Sequence, residues 1–248
     1  MTDELVHYEV AEGVGTITLD SPMNRNALSR QLVGELFERL DQAAGDDSVV
    51  VLVRSAGRVF CSGADLGEAS ADGMQDGARA MVEMQRKIVV HPKPVVTRLA
   101  GPVRAGGLGI VAASDLVLCS DDVTFAFTES RLALAPAVIS LTVLPRLTSR
   151  AAADTFLSGR TFGADEAAAM GLVTRSVPAA DLDDAVARTC TDLKAAHPQG
   201  LRETKALLVR NLLRHLDDNV EEMAALSARL FGSDAAREAM LAFLSRKK

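Results

Sequence analysis

The sequence predicts an α/β fold with crossover connections, completed by a helical C-terminal region. Two observations carry this reading. Short apolar runs recur through the first half of the chain, several followed by a glycine-bearing turn and then a segment of helical period. From about Leu182 onward the pattern is almost entirely helical.

In chain order, residues 6 to 19 read as a hairpin, His7 to Ala11 and Gly15 to Leu19 around a Glu12-Gly13 turn. Leu32, Val33, Leu36, Phe37 and Leu40 then recur at helical spacing, with Ser29 as the N-cap and Gly45 as the stop. Val49-Val50-Val51-Leu52-Val53 is a buried strand, far too short to cross a bilayer. A polar, mobile stretch runs to Gly77, and an amphipathic helix follows through Ile88, ending before Pro92. Pro94 to Leu99 reads as a strand, Gly106 to Ala113 as a helix, Asp115 to Cys119 as a strand, and Val123 to Phe127 as a half-buried strand by its alternation. The C-terminal helices break at His197-Pro198 and Gly232-Ser233, and the last starts with Asp234 as its N-cap. These elements divide the chain at residues 1–181, a core, and 182–248, a helical lid or subunit contact.

Composition excludes several classes. At 248 residues, with 48% hydrophobic and 24% charged content, the chain can bury a substantial core. A net charge of -6 provides no broad basic field for nucleic acid. Three widely spaced cysteines, Cys61, Cys119 and Cys190, suit a reducing compartment, and an acidic N-terminus with no apolar run behind it places the protein in the cytoplasm, off the membrane. His7, His91, His197 and His215 are scattered without a metal-ligand pair, so no metal is expected. Neither a G-x-S-x-G elbow nor a phosphate-binding G-x-x-x-x-G-K loop is present.

Two glycine-bearing loops remain, Phe60-Cys61-Ser62-Gly63-Ala64-Asp65-Leu66 and Arg104-Ala105-Gly106-Gly107-Leu108-Gly109. Small residues there leave backbone N–H groups unobstructed, and Gly106 with Gly107 opens a helix, where free N–H groups favour negative charge. The amides of Ala64 and Gly106, converging on one oxygen, would form an oxyanion hole. Taken singly, each loop is equally a tight turn or a close packing contact. Glu129 follows the 123–127 strand, either as a proton carrier in an apolar pocket or as a surface acid paired with Arg131. Cys61 has no histidine placed to activate it and reads as a small pocket-wall residue.

With these residues in view, together with Asn26-Ala27-Leu28, Lys93-Pro94-Val95-Val96, Gly101 through Asp115, Phe125 through Pro136 and Ala164 through Val177, the chain resembles the crotonase superfamily of enoyl-CoA hydratases and isomerases from about Val6 onward. The resemblance implies a crotonase-like spiral of ββα units with a C-terminal helical region, assembled as a homotrimer or a dimer of trimers. It implies an acyl-CoA substrate of the fatty acid metabolism type, with coenzyme A part of that substrate and no separate cofactor. The thioester oxygen would lie between the Ala64 and Gly106 amides, with Gly107 and Ser62 beside them. Arg25, Ala27, Leu28, Asp65 and Leu66 would line the CoA portion. Phe243 and the basic end Arg246-Lys247-Lys248 would approach it from the tail.

One departure concerns the reaction. Two-carboxylate hydratases of the superfamily carry a first Glu where this chain has Gly109, which leaves Glu129 alone. A single carboxylate suffices for Δ3,Δ2-enoyl-CoA isomerisation, whereas the stretch from Phe127 to Arg131 with Ala135 to Ser140 is similar to a bacterial branch grouped with hydratases. Hydration is preferred narrowly; isomerisation, a non-catalytic acyl-CoA binder and thioester hydrolysis stand behind it. Arg104, in a loop that is normally apolar there, reads either as a partner for a carboxylate on a dicarboxylic acyl chain or as an ion-pairing residue at a subunit contact.

Overall fold

The computed structural model describes residues 4–65, 67, 68 and 74–245, the Leu244 side chain excepted. Leu66, much of the polar stretch read as mobile and the tail Arg246-Lys247-Lys248 fall outside the described residues. The elements run β1 (Val6–Ala11), β2 (Val14–Leu19), α1 (Arg30–Gly45), β3 (Val50–Ser55), α2 (Met74–Val90), β4 (Val95–Leu99), β5 (Val103–Arg104), α3 (Gly107–Ala113), β6 (Leu116–Ser120) and β7 (Thr124–Ala126). There follow α4 (Ala137–Val143), α5 (Ser149–Ser158), β8 (Phe162–Gly163), α6 (Ala164–Ala169), β9 (Arg175–Val177), α7 (Leu182–Lys194), α8 (Pro198–Phe231) and α9 (Asp234–Ser245).

One sheet has the order β1-β2-β3-β4-β6-β9, antiparallel only between β1 and β2. The hairpin turn holds Glu12 at φ 50° and Gly13 at φ 77°, the paired positive φ that matches the twist of adjoining strands. A second sheet has the order β5-β7-β8. β7 lies within the 123–127 segment read as a strand from its alternation, while β5 and β8, two residues each, are too short to show a period in the sequence.

Successive residues of β3 serve opposite faces. Val51 and Val53 join the main core with α1, α2 and α8, while Val50, with Val96 and Leu118, packs against Leu182, Ala185, Val186 and Cys190 of α7. The helical region that begins at Leu182 is thus laid onto both faces of the core. Lys205 of α8 is pinned inside it: its Nζ donates to Asp115 Oδ2 at 2.7 Å and to the carbonyls of Ile88 at 3.0 Å and Lys93 at 3.2 Å.

Helix ends depart from expectation by one residue. Gly45 is the last residue of α1 and Asp46 its C-cap. Ser233, not Asp234, caps α9, because its Oγ accepts from the Ala236 amide at 3.2 Å, whereas Asp234 already lies in the helix and pairs with Arg237. His197 caps α8 through Nδ1 and the Gln199 amide, with Pro198 at the first helical position. Among the described residues no helix is long and apolar enough to cross a membrane, and no group of His, Cys, Asp or Glu could hold a metal ion.

Candidate active site

The two glycine loops are tied to each other and to the turn before α1. Cys61 bridges Val103 in parallel, with the Arg104 amide donating to the Cys61 carbonyl at 3.0 Å. Leu28 bridges Ala64, and the Leu28 amide donates to the Gly63 carbonyl at 2.8 Å. Asn26 fixes the whole: its Nδ2 donates to the carbonyls of Val59 at 3.0 Å and Phe60 at 3.1 Å, while its Oδ1 accepts from the Ser21 amide at 2.6 Å. Arg25 and Asn26 both hold left-handed backbone, at φ 59° and 52°, a strained pair that the surrounding bonds maintain. The sequence motif contained Asn26, but the role of its amide was not legible there, because the two acceptors of its Nδ2 are backbone carbonyls more than thirty residues away.

These ties bring the Ala64 and Gly106 amides side by side. A Cβ built on Gly106 would stand 3.5 Å from the Ala64 nitrogen and 3.3 Å from Leu28 Cδ1, and one on Gly63 would stand 3.4 Å from the Gly106 nitrogen. Among the described residues neither amide donates a hydrogen bond to another group, and Ala64 is exposed. Gly63, at φ 97°, has no room for a side chain, since its Cβ would meet the Ala105 Cβ at 2.9 Å. Gly63→Ala is expected to cost about 1–3 kcal/mol and to weaken acyl-CoA binding as the loops part. Denaturant unfolding with a binding titration checks this, and unchanged values for both would show that the contact yields freely.

Ala105 sits at φ 45°, and its amide donates to the Ala126 carbonyl at 3.1 Å, at the end of β7. Three residues later comes Glu129, whose Cα is therefore within about 11 Å of that of Ala126. Glu129 opens a 3-10 helix, Glu129–Leu132, against which α5 and α9 pack. Its Oε2 is buried and has no hydrogen-bond partner among the described residues. Burial pushes its carboxyl up to about 7. The alternative of an ion pair with Arg131 is not what the structure holds: Arg131 Nε donates to the Ser158 carbonyl at 3.0 Å.

The other expected residues divide. Ala27 and Leu28 are buried at the loop junction. Ser62 Oγ donates to the Asn24 carbonyl at 3.1 Å, and Asp65 accepts from Asn24 Nδ2 at 3.1 Å and from the Gly67 amide at 2.9 Å, so both shape the loop with their polar atoms. Arg25 is exposed beside them. Gly107 packs on Cys61, whose Cβ would lie 2.7 Å from a Cβ there. Cys61 is buried, and its thiol is pushed up to about 12, which leaves it without a nucleophilic role. Phe243 lies on α9, 38% exposed. Arg104 donates to the carbonyls of Val103 at 2.9 Å and Thr124 at 2.5 Å and to Thr124 Oγ1 at 2.8 Å, so its guanidinium is held along β7 toward Thr124.

Two wall residues were not singled out in the sequence. Met81 of α2 reaches Gly106, with its Cε 2.8 Å from a Cβ placed there. Gln85, one turn later and fully buried, lies against Gly109. No motif in the sequence marks either of them. A separate cleft of about 280 Å³ between α2 and α8 has its two arginines paired internally, Arg79 with Glu221 and Arg86 with Asp217, and none of its lining residues belongs to the glycine loops.

Paired bare amides, with an acid whose Oε2 is buried three residues beyond the strand end that meets their loop, are groups suited to enolate chemistry on a thioester. Residues 9–248 match the sequence profile of the enoyl-CoA hydratase/isomerase family. The chain belongs to that family. A crystal structure of an enoyl-CoA hydratase from Mycobacterium avium superposes with a TM-score of 0.92 at 43% identity, over 99% of this chain and 98% of that one. At 35% identity the chain is similar to 4-chlorobenzoyl coenzyme A dehalogenase-2 of an Arthrobacter species, over 81% of this chain and 76% of that protein. At 30% identity it is similar to enoyl-CoA delta isomerase 2 of Rattus norvegicus, over 95% of this chain and 62% of that protein. The family's spiral α/β fold with a helical C-terminal region is the fold observed. Members of one family carry names for hydration, dehalogenation and isomerisation, so the reaction is decided by side chains around the common site.

Proposed function

We propose that this family member hydrates a 2-enoyl-CoA, with the Ala64 and Gly106 amides holding the thioester oxygen and Glu129 moving the proton at C2. The observation that carries the reading is the Glu129 carboxyl: buried, with Oε2 unpartnered, and raised to about 7. A structural acid at that depth would be neutralised by a bonded partner. An acid with a free oxygen and a near-neutral pKa is suited both to take a proton and to return it. As water adds at C3, the C2–C3 π electrons move toward the thioester oxygen, where two preset donors each contribute a few kcal/mol, about 2.7–4 in comparable sites. The resemblance to a hydratase at 43% identity favours hydration over the other outcomes.

Arg25, Ala27, Leu28, Asp65 and Leu66 are proposed to line the CoA portion, and the assembly is proposed as a trimer or a dimer of trimers in the cytoplasm. A second reading, Δ3,Δ2 isomerisation, is favoured by Gly109, because one carboxyl can take a proton from C2 and return it at C4 without water. Product analysis separates the readings. With crotonyl-CoA the expected product is 3-hydroxybutyryl-CoA. Double-bond migration in a 3-enoyl-CoA without hydration of crotonyl-CoA would instead establish the isomerase, and binding without either product would make the chain a non-catalytic acyl-CoA binder.

A further inference from the structure

The Gly106 amide stands at the head of α3, yet little in that helix's own sequence holds it in place. Gly107, Gly109, Ala112 and Ala113 offer almost no side-chain surface for packing, and no side chain among the described residues caps the first turn at Gly106. The anchor is at the other end. Ala112 and Ser114 are buried away from water, so their carbonyls need partners from the protein itself. Arg146, between α4 and α5, supplies both. Its Nε donates to the Ala112 carbonyl at 3.0 Å and its Nη2 to the Ser114 carbonyl at 3.4 Å, which sets a cation at the helix end that favours one. Burial weighs against that charge, and Asp115 nearby favours it. The backbone of Arg146 is fixed as well: its amide donates to the Val143 carbonyl at 3.0 Å, and a Cβ on Gly171 would meet its carbonyl oxygen at 2.5 Å.

We propose that Arg146 is a positioning residue for the thioester: by bridging the last carbonyls of α3 it sets the angle at which the Gly106 amide meets the thioester oxygen. From Gly106 to Ala112 the helix is a rod about 9 Å long, so a shift at its foot is passed to its head. Arg146 acts through α3 and not on the substrate. The proposal rests on the reading that the Ala64 and Gly106 amides hold the thioester oxygen, and it is the same for hydration and for isomerisation.

The test is the infrared band of the thioester carbonyl of butyryl-CoA, labelled with carbon-13 at that carbon and bound at saturation to wild type, Arg146→Met and Arg146→Lys. Two donors on the oxygen lower this band when the ligand binds wild type. Arg146→Met should lose about half or more of that lowering and about tenfold or more in kcat, with affinity for butyryl-CoA within about threefold of wild type. A merely structural role would reduce stability and leave the band of the folded, saturated protein where wild type has it. Arg146→Lys keeps the charge but not the two-carbonyl fork, so its band should fall between the other two. A folded Arg146→Met with the wild-type band overturns the proposal. If that variant does not fold, an Arg146→Lys band equal to wild type overturns it instead. A wild-type band that binding leaves unmoved refutes the reading of the two amides, and it is told apart because it shows before any substitution is made.

Discussion

Glu129→Gln is expected to lower turnover by about a thousandfold while acyl-CoA affinity stays within about threefold of wild type. Glutamine keeps the shape of the side chain and its place at the head of the 3-10 helix, but it neither takes up nor releases a proton. The lost interaction exists only while the proton is moving, so it falls on kcat and not on ground-state binding. The folded protein should also become slightly more stable at neutral pH. Burial raises the Glu129 carboxyl to about 7, so it costs folding free energy that grows as pH rises from its unfolded value of 4.5 to about 7 and is level above that. The amide carries no such cost. Steady-state kinetics with a binding titration checks the first part, and denaturation of both proteins at pH 5 and pH 8 checks the second: the gap in favour of the variant should widen at the higher pH.

Lys205→Met should be the most damaging single change away from the site, costing about 3–5 kcal/mol. Lys205 is 5% exposed, and its three bonds join α8 to Asp115, to the end of α2 and to the segment before β4. Methionine fills similar volume but strands the Asp115 carboxylate, which keeps only the Val95 amide at 2.7 Å among the donors that met it on Oδ2. For a chain of this length a loss of that size lowers Tm by roughly 6–20 °C. Adding Asp115→Asn should recover part of the loss, because the uncompensated charge is then gone. A urea series on the two variants and wild type decides it: a loss under about 1 kcal/mol for Lys205→Met would show that the pair contributes little.

Much of the architecture was legible because it rests on local chemistry. The Glu12-Gly13 turn, the Ser29 cap and the apolar run of β3 each act within a few residues. In the small sheet β7 was legible from the alternation over 123–127, but β5 and β8 were not, because strands of two residues are defined by their partners alone. At the candidate site, Ala64, Gly106 and Glu129 are expected from motif resemblance, and the structure adds the contacts that place the two amides together and leave Glu129 Oε2 without a partner among the described residues. The roles of Asn26 and Gln85 were not legible for one physical reason. Their amides work on backbone carbonyls or side chains of elements distant in sequence, and nothing in their neighbourhood in the chain announces it.

The most direct test of the central claim is exchange at C2. Wild-type protein incubated with butyryl-CoA in deuterium oxide should incorporate deuterium at C2 and at no other carbon, and Glu129→Gln should slow this by at least about a hundredfold. Exchange that persists undiminished in Glu129→Gln, or wild-type protein that binds the thioester and exchanges nothing, would contradict the account.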